Sequence, residues 1–218
     1  MKRSIWRRVR TAVTIAAVAV VVSGCVDVVQ YISGSGSTID VYLRFALQKS
    51  AFEMANAFSD QPQNLDQMFA EEFNLERAQV LATLPEGIAA DYRALNTEFE
   101  YGFELSYSAD RDVLARVDGA GAFVPRIGPS GMSIPLAESS GGGDGGEGDQ
   151  FAAAFLGGAK YRVFVSRRLV SRVSSARLVT AQQAIDVSVV ELPDVWMIEF
   201  PVSLWLMAAE TPTLEVVF

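Results

Sequence analysis

The chain has 218 residues, 50% of them hydrophobic, with a single cysteine and no histidine. Without histidine it cannot build Ser-His-Asp or Cys-His catalytic groups, histidine zinc sites or histidine proton shuttles. The formal net charge of −8 disfavours nucleic acid and bare anionic membranes as partners, because both would repel the protein at long range. We therefore expect a protein that is not an enzyme, has no cofactor or metal, and binds no nucleic acid.

Residues 1–24 have the pattern of a secretory signal. The first ten carry five basic side chains and no acid, residues 11–22 read TAVTIAAVAVVV, and the small residues Ser23 and Gly24 follow. This order of charged, apolar and small segments is typical of a signal peptide, and the apolar run is shorter than the roughly 20 residues of a membrane-spanning helix. Its removal leaves 194 residues with 13 basic and 26 acidic side chains.

The end of this signal resembles the lipobox of bacterial lipoproteins, in the sequence Val22-Ser23-Gly24-Cys25. The resemblance implies a diacylglycerol thioether on Cys25, cleavage before it and acylation, for example with palmitate, of the new amine. It predicts localisation in the cell envelope, on the periplasmic or the outer surface, with the membrane as a partner through the acyl chains. The alternative is an ordinary secretory signal with a chance cysteine at its end.

The segment after Cys25 alternates between strand and helix patterns. Residues 25–36 are interpreted as the lipidated cysteine and a short strand or tether, and residues 37–48 alternate strictly, as a strand with one buried face does. Ser50-Ala51-Phe52-Glu53 is a capping-box sequence that predicts a helix to about residue 59. A second helix is predicted from Leu65 to Leu84, where Pro85 follows.

The rest of the chain favours strands. Residues 97–107 alternate, with one predicted face formed by Phe99, Tyr101, Phe103, Leu105 and Tyr107. Asp118-Gly119 lies between VLARV (113–117) and AFVPRI (122–127) and is typical of a hairpin turn between two strands. A flexible Gly-rich loop is predicted over about 137–150, where matches to G-x-G-x-x-G and to a calcium-binding repeat are expected by composition alone. Further strands are predicted at residues 161–165, 176–180, 184–192, 196–208 and 214–218.

This order predicts an α+β domain over residues 37–218, an antiparallel sheet with a helical insert packed on one side. The lipobox, the helical insert, "LPEGI" and the strand "EFEYGFELSYS" together resemble LppM-type bacterial lipoproteins over about residues 25–110. That resemblance implies a small domain beside a membrane anchor that binds lipid-like molecules.

Two groups of charged residues are candidate sites. Glu98, Glu100 and Glu104 share a strand parity and are the only plausible catalytic carboxylates, although they also suit a solvated strand face. Residues 151–185 carry six basic residues and no acid, whereas residues 53–112 carry 13 acids and three arginines. The candidate contacts for an anionic ligand are Arg162, Arg167, Arg168, Arg172 and Arg177.

The arginines admit a second interpretation, in which acids of the same chain neutralise them, either Glu98, Glu100 and Glu104 or those of the Gly-rich loop. We therefore expect a membrane-anchored envelope lipoprotein whose domain binds a lipid-like ligand or another envelope protein. A carboxylate-dependent hydrolase and a purely structural lipoprotein are the alternatives.

Overall fold

The computed structural model describes residues 26–50, 88–115, 121–137, 158–206 and 210–218, with positions 53, 77, 78, 81, 82, 84, 85 and 208. Its regular elements there are β1 (Val26–Ser35), β2 (Thr38–Gln48), β3 (Ala90–Asn96), β4 (Glu100–Asp110), α1 (Arg111–Ala115), β5 (Arg126–Ile127), β6 (Gly131–Pro135), β7 (Lys160–Ser166), β8 (Ser175–Val179), β9 (Ala184–Asp186), β10 (Ser188–Glu191), β11 (Val195–Pro201), α2 (Ser203–Leu206) and β12 (Thr213–Val217).

The strands form two sheets. The larger has seven strands in the order β10-β11-β7-β1-β2-β4-β3, and the smaller has five in the order β5-β6-β12-β8-β9. The pairing of β1 with β7 is parallel, whereas the other pairings are antiparallel. The first strand of the described chain therefore lies in the middle of the larger sheet.

Strand alternation decides which face of the larger sheet is buried. In β1 the even-numbered residues from Val26 to Ile32 are buried and the odd-numbered ones are more exposed, as expected when successive side chains point to opposite faces. The turn to β2 contains Gly36 at φ 66°, a conformation that residues with a Cβ rarely adopt. This turn sets the register in which Val26 lies opposite Leu47.

The inner faces of the two sheets enclose one hydrophobic core. Side chains from both sheets belong to it, including Ile32 and Phe200 of the larger sheet and Ile134 and Leu214 of the smaller one, each at most 1% exposed. The chain passes between the sheets at Val187, whose amide donates to the carbonyl of Ala176. This residue separates β9 of the smaller sheet from β10 of the larger one.

The polar side chain of Gln30 is fully buried in this core. The Gln30 side-chain amide donates to the carbonyl of Phe123 at 2.8 Å, and the Tyr161 hydroxyl donates to the Gln30 side-chain oxygen. Phe123 adopts a positive φ of 66° and packs edge-on against Tyr161. Because its hydrogen bonds are made inside the protein, Gln30 is buried without a large desolvation cost, and it connects β1, β7 and the segment before β5.

The predicted α+β fold is wrong. Among the described residues, strands in two sheets make up 57% and helix only 11%. The sequence predicts that the strands after residue 120 belong to a single sheet with the earlier ones. Five of them instead form a second sheet, namely β5, β6, β8, β9 and β12. A second sheet covers the inner face of the first, and alternation alone does not say which sheet a strand joins. The predicted helices over 50–59 and 65–84 lie largely outside the described residues, as does most of the predicted loop at 137–150.

Of the short strand and the tether that the sequence left open for residues 26–35, the structure shows the strand, which is the central strand β1. Two other local predictions differ from the structure. Residues 113–115, predicted as the start of a strand, belong to helix α1. The strand predicted over 196–208 ends at Pro201, which has no amide hydrogen to extend the ladder, and the chain continues into α2.

Candidate functional site

Strand β1 carries the chain directly from the predicted lipidation site into the core. Cys25 itself lies outside the described residues, and Val26, the next residue, is already buried and paired with Leu47. Asp27 is aligned with Lys160 on β7. Because β1 has hydrogen-bonded neighbours on both sides, residues 26–35 cannot act as a flexible linker.

The five candidate arginines do not form one patch. Arg162 lies on β7 of the larger sheet, and Arg177 lies on β8 of the smaller one. Arg167, Arg168 and Arg172 lie between these strands, in residues 167–174, which we call the arginine loop. The structure therefore separates the candidates into two strand positions and one loop.

Arg162 belongs to a row of charges on the outer face of the larger sheet. Its Nε lies 2.9 Å from Glu199 Oε2 on β11, and its Nη1 lies 3.1 Å from Asp27 Oδ1 on β1. Lys160 Nζ reaches the other oxygen of Glu199 at 2.5 Å. Glu199 therefore receives both cations of β7.

The row continues across the next two strands. Arg44 on β2 contacts Asp27 Oδ2 at 3.3 Å and Glu100 Oε2 on β4 at 2.6 Å. We call the complete set, which contains three cations and three anions on five neighbouring strands, the charged row: Glu199, Lys160, Arg162, Asp27, Arg44 and Glu100. Equal numbers of opposite charges make the row neutral.

The row shifts the pKa of Glu199 and that of Arg44 in the direction of the charged forms. The pKa of Glu199 is lowered chiefly because Lys160 donates a hydrogen bond to it; partial burial opposes this, and Arg162 adds to the lowering. Burial alone would lower the pKa of Arg44, but the hydrogen bond and charge of Glu100, with the charge of Asp27, raise it. The ionic forms of these two side chains are therefore favoured.

The candidate catalytic carboxylates are also engaged by neighbouring side chains. Glu100 belongs to the charged row, and Glu104 accepts a hydrogen bond of 2.8 Å from the Tyr42 hydroxyl. Burial, with the hydrogen bond to Glu104, raises the pKa of Tyr42 to about 12. Glu98 lies in the turn between β3 and β4, outside the strand on which it was predicted. The shared face predicted from the sequence therefore holds for Glu100 and Glu104 but not for Glu98.

Two more of the candidate arginines pair with acids. Arg167 Nη1 lies 2.8 Å from Glu191, and its guanidinium is 5.3 Å from the ring centre of Trp196. Arg177 Nε lies 2.8 Å from Asp186 on the neighbouring strand β9. These contacts, with those of Arg162, agree with internal neutralisation for three of the five arginines.

Arg168 and Arg172 differ from the other three. Both are exposed, and within the described part of the chain neither guanidinium has an acidic side chain within 4 Å. The arginine loop begins directly after β7, which runs parallel to β1, so it lies at the end of the sheet opposite to Val26. Among the five candidate arginines, Arg168 and Arg172 are therefore the two whose guanidinium groups can bind an external anion.

An open depression was not foreseen from the sequence. It has a volume of about 690 Å³ and lies on the outer face beside β3, where Tyr31, Tyr42, Asp40, Asp91 and Ser108 line it. Asp40 already accepts a 2.6 Å hydrogen bond from Ser108. Such a site could not be found by local patterns, because its lining comes from four strands brought together only by the sheet order.

No protein-family model matches the chain, and no curated protein matches it significantly. Within the residues that the structure describes, no helix is long and apolar enough to cross a bilayer. In the same residues no three acidic or sulfur-containing side chains are grouped as metal ligands.

Proposed function

We propose that the protein is an envelope lipoprotein, anchored through acyl chains on Cys25, whose β domain is a non-catalytic module that binds an acidic partner or ligand. The observation that carries the anchor is the position of Val22-Ser23-Gly24-Cys25 directly before β1. Cleavage before Cys25 would remove the apolar signal and leave every residue of the central strand in place. The lipidated residue would then be joined to the core without a spacer.

The anchoring step transfers a diacylglyceryl group from a membrane phospholipid to Cys25. A bond forms between Cys25 Sγ and the glyceryl carbon, the bond from that carbon to the phosphate oxygen breaks, and the thiol proton leaves with the phosphate head group. Water then hydrolyses the peptide bond between Gly24 and Cys25, which frees the Cys25 amine. Two or three acyl chains hold a protein firmly, because each buried methylene contributes about 0.8 kcal/mol and one chain alone is marginal.

The binding role is assigned to the arginine loop. Asp27 is level with Lys160, the first residue of β7, and six further residues lead from Lys160 to the end of that strand at Ser166. At 3.3 Å per residue, this end lies about 20 Å from the level of Asp27. This distance exceeds the Debye length of about 8 Å at physiological ionic strength, so head groups near Cys25 would attract Arg168 and Arg172 only weakly. Guanidinium groups at that position suit carboxylate or phosphate groups presented from the aqueous side.

In-cell photocrosslinking tests the binding role. A photoreactive amino acid replaces Ser171, an exposed residue of the arginine loop beside Arg172, so that both arginines are kept, and a matched control replaces Gln182, an exposed residue in the turn between β8 and β9. We expect a discrete crosslinked species from position 171 and none from position 182, with native mass spectrometry of the purified lipoprotein identifying any small ligand. Identical, empty crosslinking patterns together with a ligand-free mass would contradict the binding role and favour a purely structural lipoprotein.

A further inference from the structure

The turn between β3 and β4 exposes an aromatic side chain. Phe99 is 71% exposed, more than any other large hydrophobic residue that the structure describes. An isolated exposed aromatic is ordinary on a protein surface. Phe99 is distinguished by the rigidity of its turn and by the end of the sheet on which it lies.

Four hydrogen bonds fix this turn. The Thr97 amide donates to the carbonyl of Glu100 at 3.0 Å, and the Thr97 hydroxyl accepts from the amides of Phe99 and Glu100 at 3.2 and 3.0 Å. The Lys49 amide donates to the carbonyl of Phe99 at 2.8 Å. Because the backbone of the turn is already ordered, burying the Phe99 ring in another molecule would cost little further conformational entropy of the backbone.

The strand register places this turn at the end of the sheet where the chain enters. Val26 is opposite Leu47, and Gln48, the next residue of β2, is opposite Glu100. Val26 and Glu100, the first residues of β1 and β4, therefore lie at the same end of the larger sheet. In the sequence, Cys25 directly precedes Val26, and Phe99 directly precedes Glu100. With strands about 4.8 Å apart, the ends of β1 and β4 are separated by about 10 Å across this edge.

The charges around the turn are nearly balanced. Glu98 is exposed beside Phe99, and the Lys49 ammonium lies 4.2 Å from the ring centre of Tyr101, the second residue of β4. At the same edge Lys160 is paired with Glu199. Among the described residues named here, the two acids and two lysines balance and Phe99 presents an exposed ring, a combination that suits the head-group region of a zwitterionic bilayer, where aromatic rings concentrate.

We propose that the β3–β4 turn contacts the bilayer that holds the acyl chains of Cys25, with the Phe99 ring inserted at the level of the head groups. The proposal rests on the lipid anchor proposed above. It fixes an orientation, because the second contact prevents the domain from tilting freely about Cys25. The edge with Phe99 faces the membrane, and the arginine loop faces away from it.

Depth-dependent quenching tests this orientation in the complete lipoprotein. Cys25 is the only cysteine, and its sulfur is consumed in the thioether, so an introduced thiol takes up a maleimide derivative of NBD alone. The probe is placed by Glu98→Cys, which keeps Phe99, or by Ser37→Cys at the turn between β1 and β2, the matched position at the opposite end. Each protein is reconstituted into phosphatidylcholine vesicles with or without acyl-brominated phosphatidylcholine.

We expect bromolipid to reduce emission from position 98 and to leave position 37 unchanged. Adding Phe99→Ser to Glu98→Cys should restore much of the lost emission, since Phe99 is exposed and its replacement does not disturb the core. Equal quenching with and without Phe99→Ser would overturn the insertion of Phe99, as would quenching at neither position or at position 37 alone.

The intact mass of each protein separates this test from that of the anchor. A mass that includes the diacylglyceryl group, with no quenching at position 98, refutes only the Phe99 contact. A mass without that group refutes the lipid anchor itself, and the Phe99 contact with it.

Discussion

The charged row and the arginine loop use the same residue type in opposite circumstances. In the row, Arg162 and Arg44 lie between acids on neighbouring strands, and the positions of those acids are fixed by strand pairing. In the loop, Arg168 and Arg172 extend into solvent without an acidic neighbour in the described structure. A run of basic residues in the sequence can therefore divide into a part that is paired within the fold and a part that is exposed to solvent.

Removing the carboxylate that Lys160 and Arg162 share should lower the free energy of unfolding more than any change in the arginine loop. Glu199→Gln keeps the shape of the side chain but deletes the charge that both cations contact, and we expect a loss of about 1–2 kcal/mol in the free energy of unfolding. Denaturant unfolding of the purified protein, followed by tryptophan fluorescence, measures the loss. The matched control is Glu215→Gln on β12, since Glu215 has no ion pair in the described structure and should change stability little. Equal effects of the two substitutions would show that the row is not structural.

The contribution of Glu199 should depend on pH. Its pKa in the folded protein is lowered below the ordinary value of 4.5, so the unfolded state takes up a proton first as the pH falls. The stabilisation is therefore complete above the unfolded pKa and is lost as the pH falls through the folded pKa. We expect the difference in unfolding free energy between wild type and Glu199→Gln to be constant near neutral pH and to shrink below about pH 4.5. A difference that grows on acidification would contradict the stabilisation of the folded protein by ionised Glu199.

Substitutions in the arginine loop should have the smallest effect on stability. Arg168→Ala combined with Arg172→Ala removes no ion pair of the described structure, and we expect a change of less than about 0.5 kcal/mol in unfolding free energy. The same double variant, carrying the photoreactive residue at position 171, should lose the crosslinked species that this position gives when both arginines are present. Marked destabilisation would mean that these two arginines also serve the fold.

The sequence predicted strands better than their assembly. In β4 it correctly indicated that Phe103, Leu105 and Tyr107 share a buried face, because alternation is a local property of the chain. It could not indicate that Arg162 meets Asp27, since the two residues are 135 positions apart and become neighbours only through the parallel pairing of β1 and β7. The same limit explains the missed second sheet, because sheet membership is decided by long-range pairing.

The candidate site residues depend on local and on long-range features. The resemblance to a lipobox is local, so Cys25 could be singled out from its immediate neighbours, and its lipidation stays a prediction. The division of the five arginines depends on partners such as Glu199 and Asp186, which the sequence places after the basic segment. Three acids expected as partners form no ion pair with any of the five in the described structure, namely Glu98, Glu100 and Glu104, and the acidic loop lies largely outside it.

The central claim is that the β domain is held at a membrane by lipid on Cys25, and Cys25→Ser tests it most directly. Wild type and the variant are expressed in bacteria fed an alkyne-tagged fatty acid, and label and membrane partitioning are measured in parallel. We predict that wild type carries the label and sediments with membranes, whereas the variant carries no label and is either uncleaved or released. A Cys25→Ser protein that still takes up the label and partitions with membranes would contradict the account.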